Sequence, residues 1–295
     1  MYAISTSALT KDYGNNRGIF DLNLEVGVGE AFGFIGPNGA GKTTTLRLFM
    51  DLIRPDRGRA QIMGLDTQRD GVKLRRLVGF LPGEPPDYPN QTGQQILDLL
   101  AHLRGEVDPT RVTELAQLFD LDLHRKYREY SHGNKQKVWL IQAFMHNPKL
   151  LLLDEPTNGL DPLMQQAFRR LLAESRERGA TVFLSSHLLP EVQETCDRIG
   201  VIYQGALRRV GSLADLRTGN IHRIDVRTEN EMDRARLAAL AGVTDIAISE
   251  HRVQCTLTGT MQPLLDALQT ARVLSIDSSE LTLEEVFLAQ YGQPA

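Results

Sequence analysis

One short stretch, GPNGAGKTT at residues 36–44, constrains the fold of this chain more than any other feature. It fits the pattern G-x-x-x-x-G-K-[ST] and lies between the apolar segment AFGFI and a sequence with helical spacing. In such a context, glycines let successive backbone N–H groups point inward, and the helix start adds the positive end of its dipole. The stretch therefore predicts a phosphate-binding loop that joins a buried strand to a helix.

This loop supplies most of the predicted nucleotide-binding residues. Lys42 is expected to reach the β- and γ-phosphates, Thr43 to ligate Mg²⁺ through its hydroxyl, and Thr44 to add a hydrogen bond to phosphate. The other predicted residues of the loop are Gly36, Pro37, Asn38, Gly39, Ala40 and Gly41. The following helix is predicted over 43–53. The alternative is a glycine-rich turn that only caps a helix, but the strand before it and the helix after it favour the phosphate-binding loop.

Two further segments place polar side chains at the ends of predicted buried strands. The run LLLLDEP, residues 150–156, ends a leucine strand with Asp154 and Glu155. Because open α/β sheets bind ligands at the carboxyl ends of their strands, we expect Asp154 to hold the Mg²⁺ hydration shell and Glu155 to deprotonate or orient the attacking water. His187 follows the strand TVFLSS and is predicted to reach the γ-phosphate or that water. The alternatives are a helix-initiating acidic pair and an ordinary loop histidine.

The order of predicted elements divides the chain into two domains. Up to about residue 215, short apolar strands alternate with helices, which is the pattern of an α/β core. A helical subdomain is predicted at about 84–147, where it begins in a proline-rich loop. From residue 221 the order is strand, helix, strand, strand, helix, strand, as in ferredoxin-like α+β domains, and a short helix ends the chain. We therefore predict domains at 1–215 and 221–295, joined by a linker.

Four motifs together resemble those of ABC ATPases. GPNGAGKTT is similar to the Walker A motif of that family, YSHGNKQKV to its signature, LLLLDEPTNGLDP to its Walker B motif and D-loop, and FLSSH to its switch histidine. The terminal LTLEEVFLAQYG resembles the end of ATPase subunits from type-2 ABC exporters, which carry drugs, lipids or polysaccharides. The resemblance implies a P-loop NTPase core of ABC type with antiparallel β and helical subdomains. It also implies that ATP and Mg²⁺ are bound and that ATP hydrolysis drives export through a separate membrane permease.

The resemblance further implies a site shared between two subunits. ATPases of the family work as head-to-tail dimers, in which each signature closes over the ATP held by the opposite P-loop. Ser131 and Gly133 would then contact the γ-phosphate of the other subunit's ATP, in a homodimer or beside a paralogous ATPase. His132 replaces the first signature glycine and Asn134 the usual glutamine, and the backbone contact of Gly133 is expected to survive both changes. A solvated His132 is favoured over one that adds a pH-dependent contact.

Three more positions follow from the resemblance. Tyr13 matches the aromatic residue that stacks on adenine, the alternative being a tyrosine in a surface turn. Asp161 resembles the D-loop aspartate that links the two sites of a dimer. Gly83 stands where the family has a glutamine that senses Mg²⁺ and the transport partner, and Glu84 is a candidate to replace it. The loop around residues 80–95 is expected to dock on the permease.

Composition limits the other functions of the chain. With a net charge of −4 over 295 residues, no overall basic field recruits nucleic acid or anionic lipid. The only two cysteines, Cys196 and Cys255, are typical of a reducing compartment. The sequence shows no signal-peptide pattern and no apolar run of the ~20 residues that span a bilayer. Any membrane role must therefore come through a partner, and the resemblance to exporter ATPases implies a peripheral protein on the cytoplasmic face of the membrane.

Two other classes of P-loop protein have less support. Soluble ABC ATPases that act on DNA or ribosomes carry long coiled-coil insertions or two cassettes, whereas this chain has a single P-loop and no room for an insertion. An RNA-binding role for the second domain is disfavoured because its strands lack aromatic residues and residues 221–295 hold 11 Asp/Glu against 6 Lys/Arg. We thus expect no nucleic-acid partner. A non-transport enzyme such as a kinase leaves the signature, D-loop and histidine unexplained.

Overall fold

The computed structural model describes residues 1–105, 107–212, 221–230, 232–269 and 271–280. The chain forms two compact units, Met1–Leu213 and Ala214–Ala295. Among the described residues, the first unit is built on two β-sheets and the second on one. No helix within the described residues of either unit is both long and apolar enough to cross a membrane.

An antiparallel sheet in the first unit carries the N-terminus. Its strands are β1 (Tyr2–Asp12), β2 (Gly18–Gly27), β4 (Arg57–Ile62) and β5 (Leu65–Asp66), in the spatial order β2-β1-β4-β5. The alternation of LNLEV puts Leu22, Leu24 and Val26 on the buried face of β2, as the period-two pattern predicts. A short turn joins β1 to β2, with the N–H of Tyr13 donating to the carbonyl of Arg17 over 2.8 Å.

A six-stranded, mainly parallel sheet forms the centre of the first unit. Its strands are β3 (Ala31–Ile35), β6 (Val78–Leu81), β7 (Leu150–Asp154), β8 (Thr181–Ser186), β9 (Arg198–Tyr203) and β10 (Ala206–Ser212), in the order β10-β9-β3-β8-β7-β6. All neighbouring strands are parallel except β9 and β10. Every residue of β3, β7 and β8 is buried, because continuous apolar runs suit strands covered on both faces. The carboxyl ends of these strands meet at the same end of the sheet.

The helices of the first unit connect these strands. They are α1 (Lys42–Phe49), α2 (Gly71–Leu77), α3 (Gly93–Arg104), α4 (Pro109–Leu118), α5 (His132–Phe144), α6 (Pro162–Glu177) and α7 (Leu189–Thr195). The side chains of Thr92 and Asp161 cap α3 and α6. The first helix is shorter than the predicted 43–53: it ends at Phe49, and Asp51 then takes a left-handed φ of 53°, which breaks the helical run. α3 and α4 pack against α5.

Aromatic side chains hold the first unit together beneath the glycine-rich loop. The ring centroid of Phe183 on β8 lies 5.7 Å from that of Phe32, 5.3 Å from that of Phe34 and 5.5 Å from that of Phe49. All four rings are buried, and the apolar cluster around them includes residues of both sheets and of α1. Because apolar burial is the dominant favourable term in folding, this cluster fixes the strand and the helix that the loop connects.

The second unit is an antiparallel sheet with two short helices among its described residues. Its elements are β11 (Ile221–Thr228), α8 (Arg234–Ala238), β12 (Val243–Ser249), β13 (Arg252–Thr258), α9 (Gln262–Leu268) and β14 (Val273–Glu280). The spatial order of strands is β12-β13-β11-β14. The described elements follow one another as strand, helix, strand, strand, helix, strand. Most of the predicted linker and all of the predicted terminal helix lie outside the described residues.

Candidate nucleotide-binding site

The glycine-rich loop, residues 36–44, runs from the end of β3 into α1. Gly41 has a φ of 111° and precedes α1 without a side-chain cap, so the first N–H groups of the helix are left for another acceptor. Close contacts explain two glycines. A Cβ on Gly36 would lie 2.2 Å from the carbonyl oxygen of Ile202, and one on Gly41 would lie 2.7 Å from Cγ2 of Ile19. The loop has the form of an anion-binding helix start.

Lys42 lies inside this loop and is only 6% exposed. Its Nζ donates to the carbonyl oxygens of Gly36, over 2.6 Å, and Pro37, over 3.3 Å. The same Nζ lies 3.2 Å from Oε1 of Glu155, which follows β7. The ammonium group is therefore positioned between the loop and the end of the neighbouring strand.

The other residues of the loop differ in exposure. Thr43 and Thr44 lie half-buried in the first turn of α1. Asn38 and Gly39 are exposed at the tip, and Ala40 is buried beneath them. The two threonine hydroxyls therefore lie at the helix start, beside the N–H groups that have no capping side chain.

Asp154 ends β7 with a side chain that is 1% exposed. The hydroxyl of Ser185 on β8 donates to its Oδ1. A Cβ on Gly83 would lie 2.7 Å from its Oδ2, so the loop after β6 packs directly on this carboxylate. Glu155 follows with a φ of 49°, and its N–H donates to the carbonyl of Ser185 over 3.2 Å. A left-handed backbone is uncommon for a residue other than glycine, and such strain concentrates at functional sites.

Glu155 links the loop to His187. Its Oε1 faces Nζ of Lys42 at 3.2 Å, and its Oε2 lies 2.8 Å from Nδ1 of His187. The side chain of Glu155 is 19% exposed and that of His187 is 44% exposed. The structure thus brings three of the predicted site residues into contact, with the Glu155 carboxylate between the Lys42 ammonium group and the imidazole of His187.

The predicted signature residues lie at the start of α5. Oγ of Ser131 accepts from the N–H of Asn134 over 3.2 Å and caps the helix. Ser131 and His132 are exposed. A Cβ on Gly133 would lie 2.5 Å from the carbonyl oxygen of Gly159, so α5 begins against the loop that follows β7. The segment is a helix cap that faces solvent.

One buried side chain ties α5 to the region of Glu155. Nε2 of Gln136 donates to the carbonyl oxygens of Glu155, over 3.4 Å, and Pro156, over 3.3 Å. Gln136 is 4% exposed and lies in the second turn of α5. Helix α5 is therefore hydrogen-bonded to the backbone turn that carries the Glu155 carboxylate of the same chain.

Two predicted site residues lie at the surface of the first unit. Asp161 caps α6, with its Oδ1 accepting from the N–H of Met164 over 3.0 Å. Tyr13 lies in the turn between β1 and β2, is 53% exposed, and has Nζ of Lys11 at 5.7 Å from its ring centroid. Its exposed ring offers a surface on which a planar base can stack.

Neither Gly83 nor Glu84, in the loop after β6, brings a side-chain oxygen to Asp154. Gly83 has no side chain, and a Cβ there would collide with the carboxylate. The side chain of Glu84 is 91% exposed and its Oε2 lies 3.6 Å from Nη2 of Arg47. The candidate replacement for the family's glutamine thus points to α1 in this conformation.

A network of hydroxyl and carboxyl groups beside His187 was missed by the sequence analysis. Oγ of Ser186 donates to Oε2 of Glu191 over 2.6 Å, and Oγ1 of Thr157 donates to Oε1 of the same residue over 2.6 Å. Burial raises the pKa of Glu191. The available signal was the serine pair at the end of TVFLSS, because hydroxyls in a buried apolar strand need hydrogen-bond partners.

Comparisons with known proteins agree with this geometry. The family model described as ABC transporter matches residues 19–158. The bacitracin transport ATP-binding protein BcrA of Enterococcus faecalis is 37% identical over 222 residues, which are 74% of this chain and 72% of BcrA. The chain belongs to the ABC transporter family. YhcH of Bacillus subtilis, an uncharacterised ABC transporter ATP-binding protein, is 32% identical over 291 residues, which are 97% of this chain and 94% of YhcH.

A solved structure extends the comparison to a nucleotide state. A dimeric ATP-binding cassette in a post-hydrolysis state, bound to ADP and Pi, superposes with a TM-score of 0.62 and 25% identity, covering 71% of this chain and 98% of that one. This chain is the ATP-binding subunit of an ABC exporter and an ATPase that hydrolyses ATP for transport. The predicted ABC ATPase fold, with a P-loop core of mixed α/β structure, and the predicted role as the ATP-binding subunit of an ABC exporter are confirmed.

Proposed function

We propose that this ABC ATPase binds ATP with Mg²⁺ between residues 36–44 and the carboxyl ends of β7 and β8. Binding closes two subunits head to tail, and hydrolysis with product release separates them. The observation that carries the proposal is the contact of Glu155 with both Lys42 and His187, which joins the loop, β7 and β8 at distances of 3.2 Å and 2.8 Å.

The residues of the site fit a nucleotide. Three backbone features support the phosphate-binding role: the left-handed Gly41, the helix start without a capping side chain, and the absence of room for a side chain at Gly36. Lys42 exchanges its carbonyl contacts for the β- and γ-phosphates, and Thr44 donates to phosphate. Tyr13 stacks on the base, and its ring face accepts any purine. The full proposed set is Tyr13, Gly36, Pro37, Asn38, Gly39, Ala40, Gly41, Lys42, Thr43 and Thr44.

The same residues fit Mg²⁺ together with phosphate. Among the described residues, no group of three or more His, Cys, Asp or Glu side chains could hold a metal ion. Mg²⁺ bound with a nucleotide usually takes one or two protein oxygens and completes its shell with phosphate and water. The hydroxyl of Thr43 and the carboxylate of Asp154 are the proposed oxygens, the latter acting on the hydration shell. Bound Mg²⁺ would neutralise charge on the transferred phosphoryl group.

Glu155 and His187 are the proposed catalytic residues. Glu155 accepts the proton of the attacking water or orients that water. His187, in contact with the same carboxylate, holds it in place and reaches the γ-phosphate. Little covalent chemistry is required of the protein in phosphoryl transfer, so positioning of these two groups carries most of the effect.

The signature segment completes the site of a second subunit. Ser131, His132, Gly133 and Asn134 lie at the start of α5, where a hydroxyl and backbone N–H groups can meet the γ-phosphate of the opposite ATP. The exposure of Ser131 and the dimeric state of the solved cassette support this role. Asp161, at the start of α6, is proposed to connect the two sites across the dimer. A homodimer is the simplest arrangement, and a paralogous ATPase is the alternative.

The membrane partner is proposed to be a separate permease that docks near the loop at residues 80–95, which places the ATPase peripherally on the cytoplasmic face. A 37% identical relative is named for bacitracin transport, and we propose a substrate of the same broad class, a drug or antibiotic. The choice among such substrates would be made largely by the permease.

We also propose a domain boundary between 215 and 221, a helical subdomain at about 84–147, and a ferredoxin-like second domain that stabilises the dimer or regulates hydrolysis.

Light scattering of Glu155→Gln in solution tests this proposal directly. Removal of the base lets ATP bind without being hydrolysed, so ATP-Mg²⁺ should convert the monomer into a dimer. Adding Ser131→Arg should abolish dimer formation while nucleotide binding persists, because the bulky cation blocks the signature. A Glu155→Gln variant that binds ATP and stays monomeric would contradict the homodimer, and a variant that hydrolyses ATP at the wild-type rate would contradict the role of Glu155.

A further inference from the structure

We propose that Glu191 is a positioning residue for ATP hydrolysis, whose carboxylate ties the turn after Glu155 to the strand end that carries His187. The inference rests on the proposed catalytic roles of Glu155 and His187. It assigns a function to a residue of α7 that lies outside the motifs.

The geometry is that of a bridge between two segments. Oε1 of Glu191 accepts from the Thr157 hydroxyl, and Oε2 accepts from the Ser186 hydroxyl, each over 2.6 Å. In sequence, Thr157 follows Glu155 by two positions and Ser186 immediately precedes His187. One carboxylate therefore holds both segments whose side chains meet at the 2.8 Å contact between Glu155 and His187.

Both hydroxyls belong to residues in short turns, each closed by a further hydrogen bond. Oγ of Ser186 accepts from the N–H of Leu188 over 3.0 Å. The carbonyl oxygen of Thr157 accepts from the N–H of Leu160 over 3.0 Å. Both residues therefore lie in closed turns, and the Ser186 hydroxyl is held by its own turn as well as by Glu191, so loss of the Glu191 carboxylate removes a tether from both segments.

A simpler explanation would be an acidic residue in the first turn of α7, where a carboxylate interacts favourably with the helix dipole. Both oxygens of Glu191, however, accept from hydroxyl groups outside α7. Burial raises the pKa of Glu191, whereas its hydrogen bonds from Ser186 and Thr157 lower it. The two hydrogen bonds therefore offset part of the desolvation cost of the Glu191 carboxylate.

The matched variants are Glu191→Leu, Glu191→Gln and Glu194→Leu. Glu191→Leu removes both acceptors at similar volume. Glu191→Gln can still bridge, because serine and threonine hydroxyls donate as well as accept. Glu194 lies on the same helix, faces solvent and has Oε2 at 3.3 Å from Nη1 of Arg169, so Glu194→Leu is the same change at a position without the bridge.

Steady-state Mg²⁺-ATP hydrolysis by the full chain is the first measurement, with binding of a fluorescent ATP analogue measured in parallel. Misplacement by about 1 Å can cost about 100-fold in rate, so Glu191→Leu should lower kcat by about 10- to 100-fold. KM and the affinity for the analogue should stay within about threefold of wild type. Glu191→Gln should restore most of kcat, and Glu194→Leu should behave as wild type.

The imidazole NMR signal of His187 is the second measurement and does not depend on turnover. With the signal assigned through His187→Gln, Glu191→Leu should shift or broaden it, and Glu194→Leu should leave it unchanged. Three results would overturn the proposed bridge. Glu191→Leu could keep the wild-type kcat, or it could lose nucleotide affinity and melting temperature together with kcat. The third result is that Glu191→Gln fails to restore kcat.

Two further variants separate this inference from the proposed function. If Glu155→Gln and His187→Ala hydrolyse ATP at the wild-type rate, the proposed catalytic site is wrong and the role of Glu191 falls with it. If those variants are inactive while Glu191→Leu is fully active, only the positioning role is lost.

Discussion

The two halves of the proposed ATP site are held in different ways. Lys42, Asp154 and Glu155 are buried or nearly so and contact one another or their neighbouring strands. Ser131, at the start of α5, is exposed and its hydroxyl accepts from its own helix. The first half is therefore built by folding one chain, whereas the second half acquires its proposed ligand only when another subunit arrives. Changes in the first half should impair chemistry, and changes in the second should impair assembly.

The largest effect is expected for Lys42→Ala, in the buried half. The ammonium group is the charge closest to the proposed phosphates, and removing one such donor costs about 10²- to 10³-fold in rate. We expect kcat/KM for ATP hydrolysis to fall by about that amount. Lys73→Ala, an exposed lysine of α2 paired with Asp70 at 4.0 Å, is the control. Equal activity of both variants would show that the buried half does not perform the chemistry.

Ser131→Asp breaks the exposed half without unfolding it. Aspartate is as good a helix cap as serine, so the melting temperature should stay close to wild type. A carboxylate facing the other subunit's γ-phosphate should prevent ATP-dependent dimerisation, because opposed like charges cost several kcal/mol. Ser131→Asn, a neutral cap, serves as the control. Sedimentation of both variants in the Glu155→Gln background checks this, and a dimer formed by Ser131→Asp would contradict the shared site.

Gly83→Ala tests how tightly the buried half is packed. Its Cβ would lie 2.7 Å from Oδ2 of Asp154, and overpacking of this kind typically costs about 1–3 kcal/mol. We expect the free energy of unfolding, from urea titration, to fall by that amount. Gly71→Ala is the control, since its nearest neighbours, both at 3.3 Å, are the side-chain ends of Arg75 and Asp51. Wild-type stability of Gly83→Ala would show that the Asp154 carboxylate has room to move.

The two ends of α5 differ in exposure: its start is exposed, whereas its end at Phe144 is buried. His146 follows that buried end by two positions. Burial and the charge of Arg104, whose Nη1 lies 2.9 Å from Nε2 of His146, lower the pKa of His146 to about 4. Between pH 4 and pH 6.5 the unfolded chain binds this proton and the folded chain does not. Stability should therefore be fully present above about pH 6.5 and fall by up to about 1.4 kcal/mol per pH unit as the pH is lowered.

Urea unfolding at pH 5.0 and pH 7.5 measures this dependence. His146→Gln should flatten it, because glutamine does not titrate. A wild-type profile with the same slope as His146→Gln would place the titrating group elsewhere.

The sequence predicted best those parts of the site that are contiguous. Continuous apolar runs gave β7 and β8 at their observed bounds, and the residues at their ends followed directly. Contacts between segments could not be read in this way. The bridge of Glu191 to Thr157 and Ser186, and the bond from Gln136 to the backbone at Glu155, join elements that only the fold brings together. α2 (Gly71–Leu77) and β9 (Arg198–Tyr203) were also missed, since short elements have weak periodicity.

Gln136 connects the two halves of the proposed site within one chain. Its amide reaches from the second turn of α5 to the carbonyl oxygens of Glu155 and Pro156. A displacement of α5 therefore changes two hydrogen bonds at the turn that orients the Glu155 carboxylate. Linkage requires that the coupling free energy be the same in both directions. If nucleotide binding changes the free energy with which α5 docks on another subunit, that docking must change the affinity for nucleotide by the same amount.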